Sequence, residues 1–132
     1  MIKMNPMMMP GISLDRAGFE KLHSFGSWRI MTSTISQQER PTVIQKHNCT
    51  DEVFILLKGK GFMLLGECQN NLEACPMEAG NGYVVPKGVW HAHILEAGSQ
   101  LLIVENEDTS LDNSPIVRMQ PEQIEAYLDL IE

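Results

Sequence analysis

Two histidines and one glutamate are the residues of this chain whose types and spacing best suit metal chemistry. His47 and Glu52 flank a short loop, and His91 lies in a β-rich run further along the chain. Neutral imidazole and carboxylate groups suit first-row divalent metals, and two histidines with one carboxylate can leave coordination positions open for water or substrate. The set is compatible with iron, nickel, manganese or zinc, and the sequence does not choose among these metals.

A tight turn precedes the last of these histidines. The run from Gly80 to His91 reads glycine, five residues, Pro-x-Gly, two residues and histidine. Pro86 fixes its own φ, and Gly88 relaxes the turn that follows, because glycine adopts positive φ without steric penalty. The turn is therefore expected to hold one imidazole at the start of a strand, where slippage by a few residues would misplace it.

Together the two segments resemble the two motifs of the cupin superfamily. The first family motif reads His-x-His, three or four residues, glutamate, six residues and glycine, and its last three positions correspond here to His47, Glu52 and Gly59. The second motif ends in histidine, three residues and asparagine, and its histidine corresponds to His91. The resemblance covers about residues 25–105 and implies a metal ion held by the two histidines and the glutamate.

The chain departs from the family pattern at three positions. Gln45 stands in place of the first histidine, Glu39 in place of a glycine six residues earlier, and Leu95 in place of the final asparagine. Three of the four family metal positions thus carry strong ligands, and Gln45 is a candidate fourth ligand, although an amide oxygen is a weak donor for transition metals. The alternative is a metal-free barrel whose polar groups satisfy one another by hydrogen bonds.

Three further polar residues lie in the motifs, and a fourth, Arg29, lies before them. His93 shares a strand face with the second-motif histidine, so we expect it to line the pocket and to be the neighbour best placed to handle protons. Cys49 could ligate zinc as a thiolate, but a small buried thiol is the simpler interpretation. Arg29 could contact an anionic ligand, but as an isolated basic residue it is expected to be solvated. Asp51 is expected to point away from the site.

Short β-rich runs separated by turn signals recur through the middle of the chain and indicate an all-β sandwich or barrel. The cupin resemblance makes this fold a double-stranded β-helix, or jelly-roll barrel. A length of 132 residues indicates a single domain, with an irregular arm over 1–12, a barrel core over about 25–105 and a short helix over 121–131. Pro121 suits the first position of that helix. An apolar stripe runs along it: Ile124, Tyr127, Leu128 and Ile131.

Net charge, hydropathy and cysteine number indicate which classes of partner and which cellular compartment suit this protein. The net charge of −7 and the pI of about 5.0 argue against a nucleic-acid partner, which would need a basic face. No apolar run reaches the length of a membrane span, and the methionine-rich N-terminus lacks the pattern of a signal peptide. Three cysteines indicate reduced thiols and a cytoplasmic protein, with a Cys68–Cys75 pair across a hairpin as a less favoured alternative.

A run of five apolar residues after the first motif predicts a homodimer. If Phe54 and Leu56 fill the barrel lumen, then Val53, Ile55 and Leu57 point outward. Soluble monomers tend to avoid such a patch, and similar cupins commonly pair through the outer face of a barrel sheet. The N-terminal arm and the C-terminal helix are the other elements that could cover it.

Three functions fit these features. The first is a metal-dependent enzyme on a small organic acid, sugar or phenolic compound, with the metal as Lewis acid or as the meeting point of oxygen and substrate. The second is a ligand-binding or sensory cupin without turnover, and the third is a metal-free structural dimer. The fold alone does not select a reaction, no catalytic residue is assigned, and whether the protein is an enzyme is left open.

Overall fold

Ten strands and one short helix make up the protein, which a computed structural model describes over residues 9–131. The first eight residues of the predicted arm lie outside the described residues, and residues 9–17 have no regular structure. The elements are β1 Gly18–Phe25, β2 Trp28–Thr34, β3 Val43–Gln45, β4 Glu52–Lys58, β5 Lys60–Cys68, β6 Asn71–Glu78, β7 Gly82–Val85, β8 Trp90–Leu95, β9 Gln100–Asn106, β10 Ile116–Arg118, α1 Pro121–Leu128 and a 3₁₀ turn Asp129–Ile131.

The strands form two antiparallel sheets of five. The first sheet has the order β1-β2-β9-β4-β7, and the second has the order β10-β3-β8-β5-β6. The strands extend beyond residues 25–105 in both directions, because β1 adds one edge to the first sheet and β10 adds one edge to the second. This arrangement confirms the predicted jelly-roll barrel.

The barrel lumen is filled from the inward faces of both sheets. Phe54 and Leu56 point inward and are 2% and 0% exposed, whereas the alternate residues of β4 point outward, as the strand period predicts. The buried cluster between the sheets consists of Met31, Ile35, Phe54, Leu56, Met63, Met77, Val85, Leu95, Leu101 and Ile103. It occupies one end of the lumen and leaves the other end to polar side chains.

The C-terminal helix covers the outer face of the second sheet. It begins at Pro121, as predicted, and the Gln120 and Gln123 side chains form a reciprocal capping box at its start. Ile124 is buried there beside Trp90. The rest of this second cluster is Ile44, Leu64, Leu72, Ile94 and Met119. The predicted helix over 121–131 is thus an α-helix to Leu128 followed by a 3₁₀ turn.

The outer face of the first sheet carries a row of aliphatic side chains. Val53 lies between Val84 and Val104 in the strand register, and Ile55 lies beside Leu102. Val84 is 59% exposed.

No helix of the described part of the chain is long and apolar enough to cross a membrane.

Candidate metal site

The three predicted ligands meet at the polar end of the lumen. His47 comes from the loop after β3, Glu52 begins β4, and His91 is the second residue of β8. All three are buried, and one donor atom of each lies within 4.8 Å of the others. Oε1 of Glu52 is 3.1 Å from Nε2 of His47 and 3.0 Å from Nε2 of His91. His91 thus joins a cluster with two residues that lie 39 and 44 positions earlier in the sequence.

Neighbouring groups fix the proton positions on both imidazoles. The Ser114 hydroxyl donates to Oδ1 of Asn113 at 3.0 Å, so it must accept its 2.7 Å hydrogen bond from Nδ1–H of His47. Nδ1 of His91 lies 3.1 Å from the Val89 carbonyl oxygen, which can only accept. In the neutral imidazoles, Nε2 therefore carries a lone pair directed at the cluster, as a metal ligand requires.

The distances in the cluster fit a bound metal ion and, for His47, also a hydrogen bond from a protonated Nε2 to Glu52. Donor atoms bound at 2.0–2.2 Å to one ion lie about 3.0–3.4 Å apart, depending on the coordination geometry. The separations between Glu52 and the two imidazoles match this range. Nε2 of His91 is buried and has no hydrogen-bond partner among the described residues, because it is close to Glu52 without being aligned with it. A cation between these atoms would satisfy both groups.

Electrostatics of the cluster favour a negative Glu52 and a positive charge near His47. Burial raises the pKa of Glu52, but the His47 and His91 imidazoles more than offset this and hold the pKa well below its ordinary value. Burial lowers the pKa of His47, but the hydrogen bond and the charge of Glu52 raise it above its ordinary value. A buried anion facing nitrogen donors attracts either a proton or a metal ion.

A second buried carboxylate, which the sequence motifs did not indicate, lies beside the cluster. Oε2 of Glu105 is 3.9 Å from Nε2 of His47. Oε1 accepts two hydrogen bonds from Arg29, at 3.1 Å and 2.6 Å. Burial, a hydrogen bond with Glu52 and the charge of Glu52 raise the pKa of Glu105 to about 7, although Arg29 opposes the shift. The prediction that Arg29 is solvated was wrong, since its side chain is 19% exposed.

The alternation of side chains along β2 and β9 could have revealed this pair from the sequence. Glu105 shares the inward face of β9 with Leu101 and Ile103, and Arg29 shares the inward face of β2 with Met31. In the β2–β9 register, Arg29 lies directly opposite Glu105. A charged residue on an otherwise apolar inward face predicts either a buried partner of opposite charge or a metal site.

A cavity of about 550 Å³ opens from the cluster to the surface. Gln45 lies opposite His91 in the β3–β8 register and lines this cavity. His93 also lines it, as predicted, and its Nδ1 is 2.6 Å from Oε1 of Glu39. Glu39, which stands in place of a family glycine, thus has a local role, because the same oxygen also accepts from the backbone N–H of Leu95.

Other expectations near the motifs have mixed outcomes. Asp51 is exposed and accepts from the Lys87 backbone N–H, so it points away from the cluster, as predicted. Cys49 is exposed, so its interpretation as a buried thiol was wrong, and it is not in the metal-ligand group. Cys68 and Cys75 are not bonded to each other.

Comparisons of the sequence and structure with known proteins support the jelly-roll barrel fold. The sequence matches the family described as auxin binding protein over residues 7–127. No curated protein matches it significantly. Among solved structures, BH2720 of Bacillus halodurans aligns with a TM-score of 0.63 at 19% identity, covering 73% of this chain and 74% of that chain.

Two further structures extend this likeness. Pac13 of Streptomyces, a nucleoside dehydratase solved with uridine, aligns at a TM-score of 0.62 and 12% identity, covering 83% of this chain and 85% of that chain. A cupin-2 domain protein of Shewanella frigidimarina aligns at 0.54 and 21% identity, covering 70% and 84%. At these identities the structures show a shared fold. The chain is a small cupin domain and belongs to the auxin-binding-protein family.

Proposed function

We propose that this protein binds a divalent first-row metal ion through His47, Glu52 and His91, and binds a small organic molecule at that ion. The observation that carries the proposal is the convergence of two Nε2 lone pairs on Glu52, with Nε2 of His91 left without a hydrogen-bond partner among the described residues. Three protein donors leave coordination positions for a ligand or water.

The cavity supports a small-molecule ligand. Its volume of about 550 Å³ lies within the range of small-molecule sites. Phe54 and Ile103 contribute apolar wall beside the cluster, while Gln45 and His93 contribute polar groups. An organic acid or phenol would place its oxygen toward the metal and its apolar part against the wall.

The residues around such a site would orient the metal ligands and shape the cavity. The bound ion supplies Lewis acidity, or a point where oxygen and substrate meet. Ser114 and the Val89 carbonyl orient the two imidazoles, and Glu39 orients His93 on the cavity wall. Phe54 lies edge-on to both His91 and His93, with ring centroids 6.0 Å apart, and would add an apolar surface beside the ion.

A ligand-binding protein without turnover is the second candidate. The description of the family as auxin binding protein favours it, and so does Gln45, which replaces a strong family ligand with a weak one. Both candidates use the same metal and cavity, and they differ in the fate of the bound molecule.

Metal content is the first test. Purified protein is analysed for bound metals and titrated with Mn²⁺, Ni²⁺ and Zn²⁺ after chelation, alongside the variants His91→Ala and His23→Ala. We expect His91→Ala to lose at least 10–100-fold in affinity, and His23→Ala to keep it, because His23 is an exposed residue of β1. Absence of metal in the purified protein together with no uptake on titration would reject the proposal and leave the metal-free structural dimer.

The fate of the ligand is the second test. The metal-loaded protein is incubated with auxin, with benzoate and with the uncharged analogue benzyl alcohol, and each mixture is analysed for binding and for products. Carboxylate binding that requires the metal and returns the compound unchanged would support the ligand-binding protein. A new product that depends on the metal and is lost in His91→Ala would support the enzyme.

A further inference from the structure

Glu105 is a buried carboxylate, and only one of its two oxygens has a hydrogen-bond partner among the described residues. The residue is 6% exposed. Its Oε1 accepts two hydrogen bonds from Arg29, while its Oε2 is buried and has no hydrogen-bond partner within residues 9–131. A buried acceptor left unpaired destabilises the folded state, so this oxygen needs either a proton, which it can share with Glu52, or a cation.

The free oxygen lies beside the metal cluster, 3.9 Å from Nε2 of His47, and two donors on one ion at 2.0–2.2 Å can be at most about 4.2 Å apart. Glu105 is outside the group of three residues whose donor atoms lie within 4.8 Å of one another, so ligation requires its carboxylate to move toward the ion. We propose that Oε2 of Glu105 is a fourth protein ligand of the metal ion, in addition to His47, Glu52 and His91. This inference rests on the proposed metal site.

Charge and coordination chemistry agree with this assignment. Glu52 and Glu105 as carboxylates together neutralise a divalent cation. Arg29 holds Oε1 and leaves Oε2 for the metal, in the way that outer hydrogen bonds orient metal-binding carboxylates. Glu105 would thus restore a strong ligand in a chain that has Gln45 instead of the family's first histidine. A set of two imidazoles and two carboxylates suits Mn²⁺ or Fe²⁺ better than a set of three imidazoles.

The test compares two candidates for the fourth ligand by metal affinity, not by activity. Mn²⁺ and Zn²⁺ are titrated in competition with a chelator into wild type, Glu105→Gln and Gln45→Ala. We expect Glu105→Gln to weaken Mn²⁺ binding at least tenfold and to weaken Zn²⁺ binding less, and Gln45→Ala to change both by less than threefold. A wild type that binds no metal would refute the proposed function. A wild type that binds, with Glu105→Gln unchanged or with Gln45→Ala more damaging, would overturn this inference alone.

A structural effect of the substitution must be separated from lost ligation. Arg29→Gln removes the ion pair but keeps the carboxylate, so it should retain more Mn²⁺ affinity than Glu105→Gln, and an equal loss would assign the effect to the ion pair. Should Glu105→Gln fail to fold, a crystal structure of Zn²⁺-loaded wild type decides the question. Oε2 at about 2.0–2.2 Å from zinc supports the proposal, and a well-occupied zinc with Oε2 beyond 3 Å refutes it.

Discussion

The backbone N–H of Gly88 donates a 2.7 Å hydrogen bond to the carbonyl oxygen of His47. The turn of the second motif therefore bonds directly to the first-motif histidine. Gly88 has φ of +79°, a region that residues with a side chain rarely adopt. The glycine thus serves two purposes, since it makes the turn before His91 and it positions His47.

Gly88→Ala should lower both stability and metal affinity. An added Cβ would meet nothing within 4 Å, so the strain comes from φ alone and should cost about 1 kcal/mol in the free energy of unfolding. Relaxation of that strain would move the turn and the hydrogen bond to His47. The control is Gly26→Ala, at φ +61° with similarly open space but in the β1–β2 turn. Urea denaturation should show similar losses for both variants, whereas metal titration should show a loss only for Gly88→Ala. Equal metal affinities would contradict this role.

Ser114→Ala should weaken metal binding without removing a ligand. Its hydroxyl accepts the Nδ1 proton of His47, and loss of a partner that orients a metal-binding histidine typically lowers affinity by about 10–100-fold. Ser110→Ala is the control, because among residues 9–131 that hydroxyl accepts a hydrogen bond only from the Asp112 backbone N–H within the same loop. Metal titration by calorimetry measures the difference. Comparable affinities for the two variants would argue against the assigned role of Ser114.

The metal-free protein should become less stable as the pH rises from 5 to 8. The folded state holds the Glu105 proton with a pKa of about 7, against 4.5 ordinarily, so the stability this group contributes is present below pH 4.5 and is lost as the pH rises toward 7. The raised pKa of His47 acts in the same direction. The lowered pKa of Glu52 matters only below its ordinary value.

Glu105→Gln should remove most of this pH dependence, which amounts to roughly 2 kcal/mol. The exposed Glu73 offers the control Glu73→Gln, which should leave the pH profile unchanged. Urea unfolding midpoints at pH 5, 6, 7 and 8 in the presence of chelator provide the measurement. A slope that survives in Glu105→Gln would show that another group causes it.

A homodimer through the outer face of the first sheet is also expected. Val53, Ile55 and Leu57 point outward as predicted, next to the 59% exposed Val84. The N-terminal arm contacts one corner of this face, where the Leu14 carbonyl oxygen accepts from the Gln100 side chain.

Sedimentation equilibrium of wild type at micromolar concentration should give twice the chain mass, and Ile55→Asp should give the monomer mass. Ile116→Asp is the matched control, because Ile116 is 46% exposed on the edge strand of the other sheet. A monomeric wild type would refute the dimer.

The cupin fold and the three-residue cluster followed from sequence because each depends on local patterns. The Pro-x-Gly turn specifies where His91 starts its strand, and the loop length before Glu52 specifies where β4 begins. The fold prediction is confirmed by the two sheets and the C-terminal helix. Gln45 as a ligand stays a prediction.

Glu105 and Arg29 were missed because their relationship depends on pairing between distant strands. Neither belongs to a motif, and only the β2–β9 register places them opposite each other. β1 was missed for a different reason. It is an edge strand whose residues are mostly exposed, so the alternation that reveals a half-buried strand is absent.

The helix α1 also limits how copies of this chain can stack. It occupies the outer side of the second sheet with Ile124, so a protomer that joined a partner through the first sheet would have no equivalent sheet surface left for a third. An interface that uses the same patch on both subunits closes on itself, whereas unlike patches can propagate into filaments. The short helix α1 would therefore limit assembly to a dimer, in addition to packing against the second sheet.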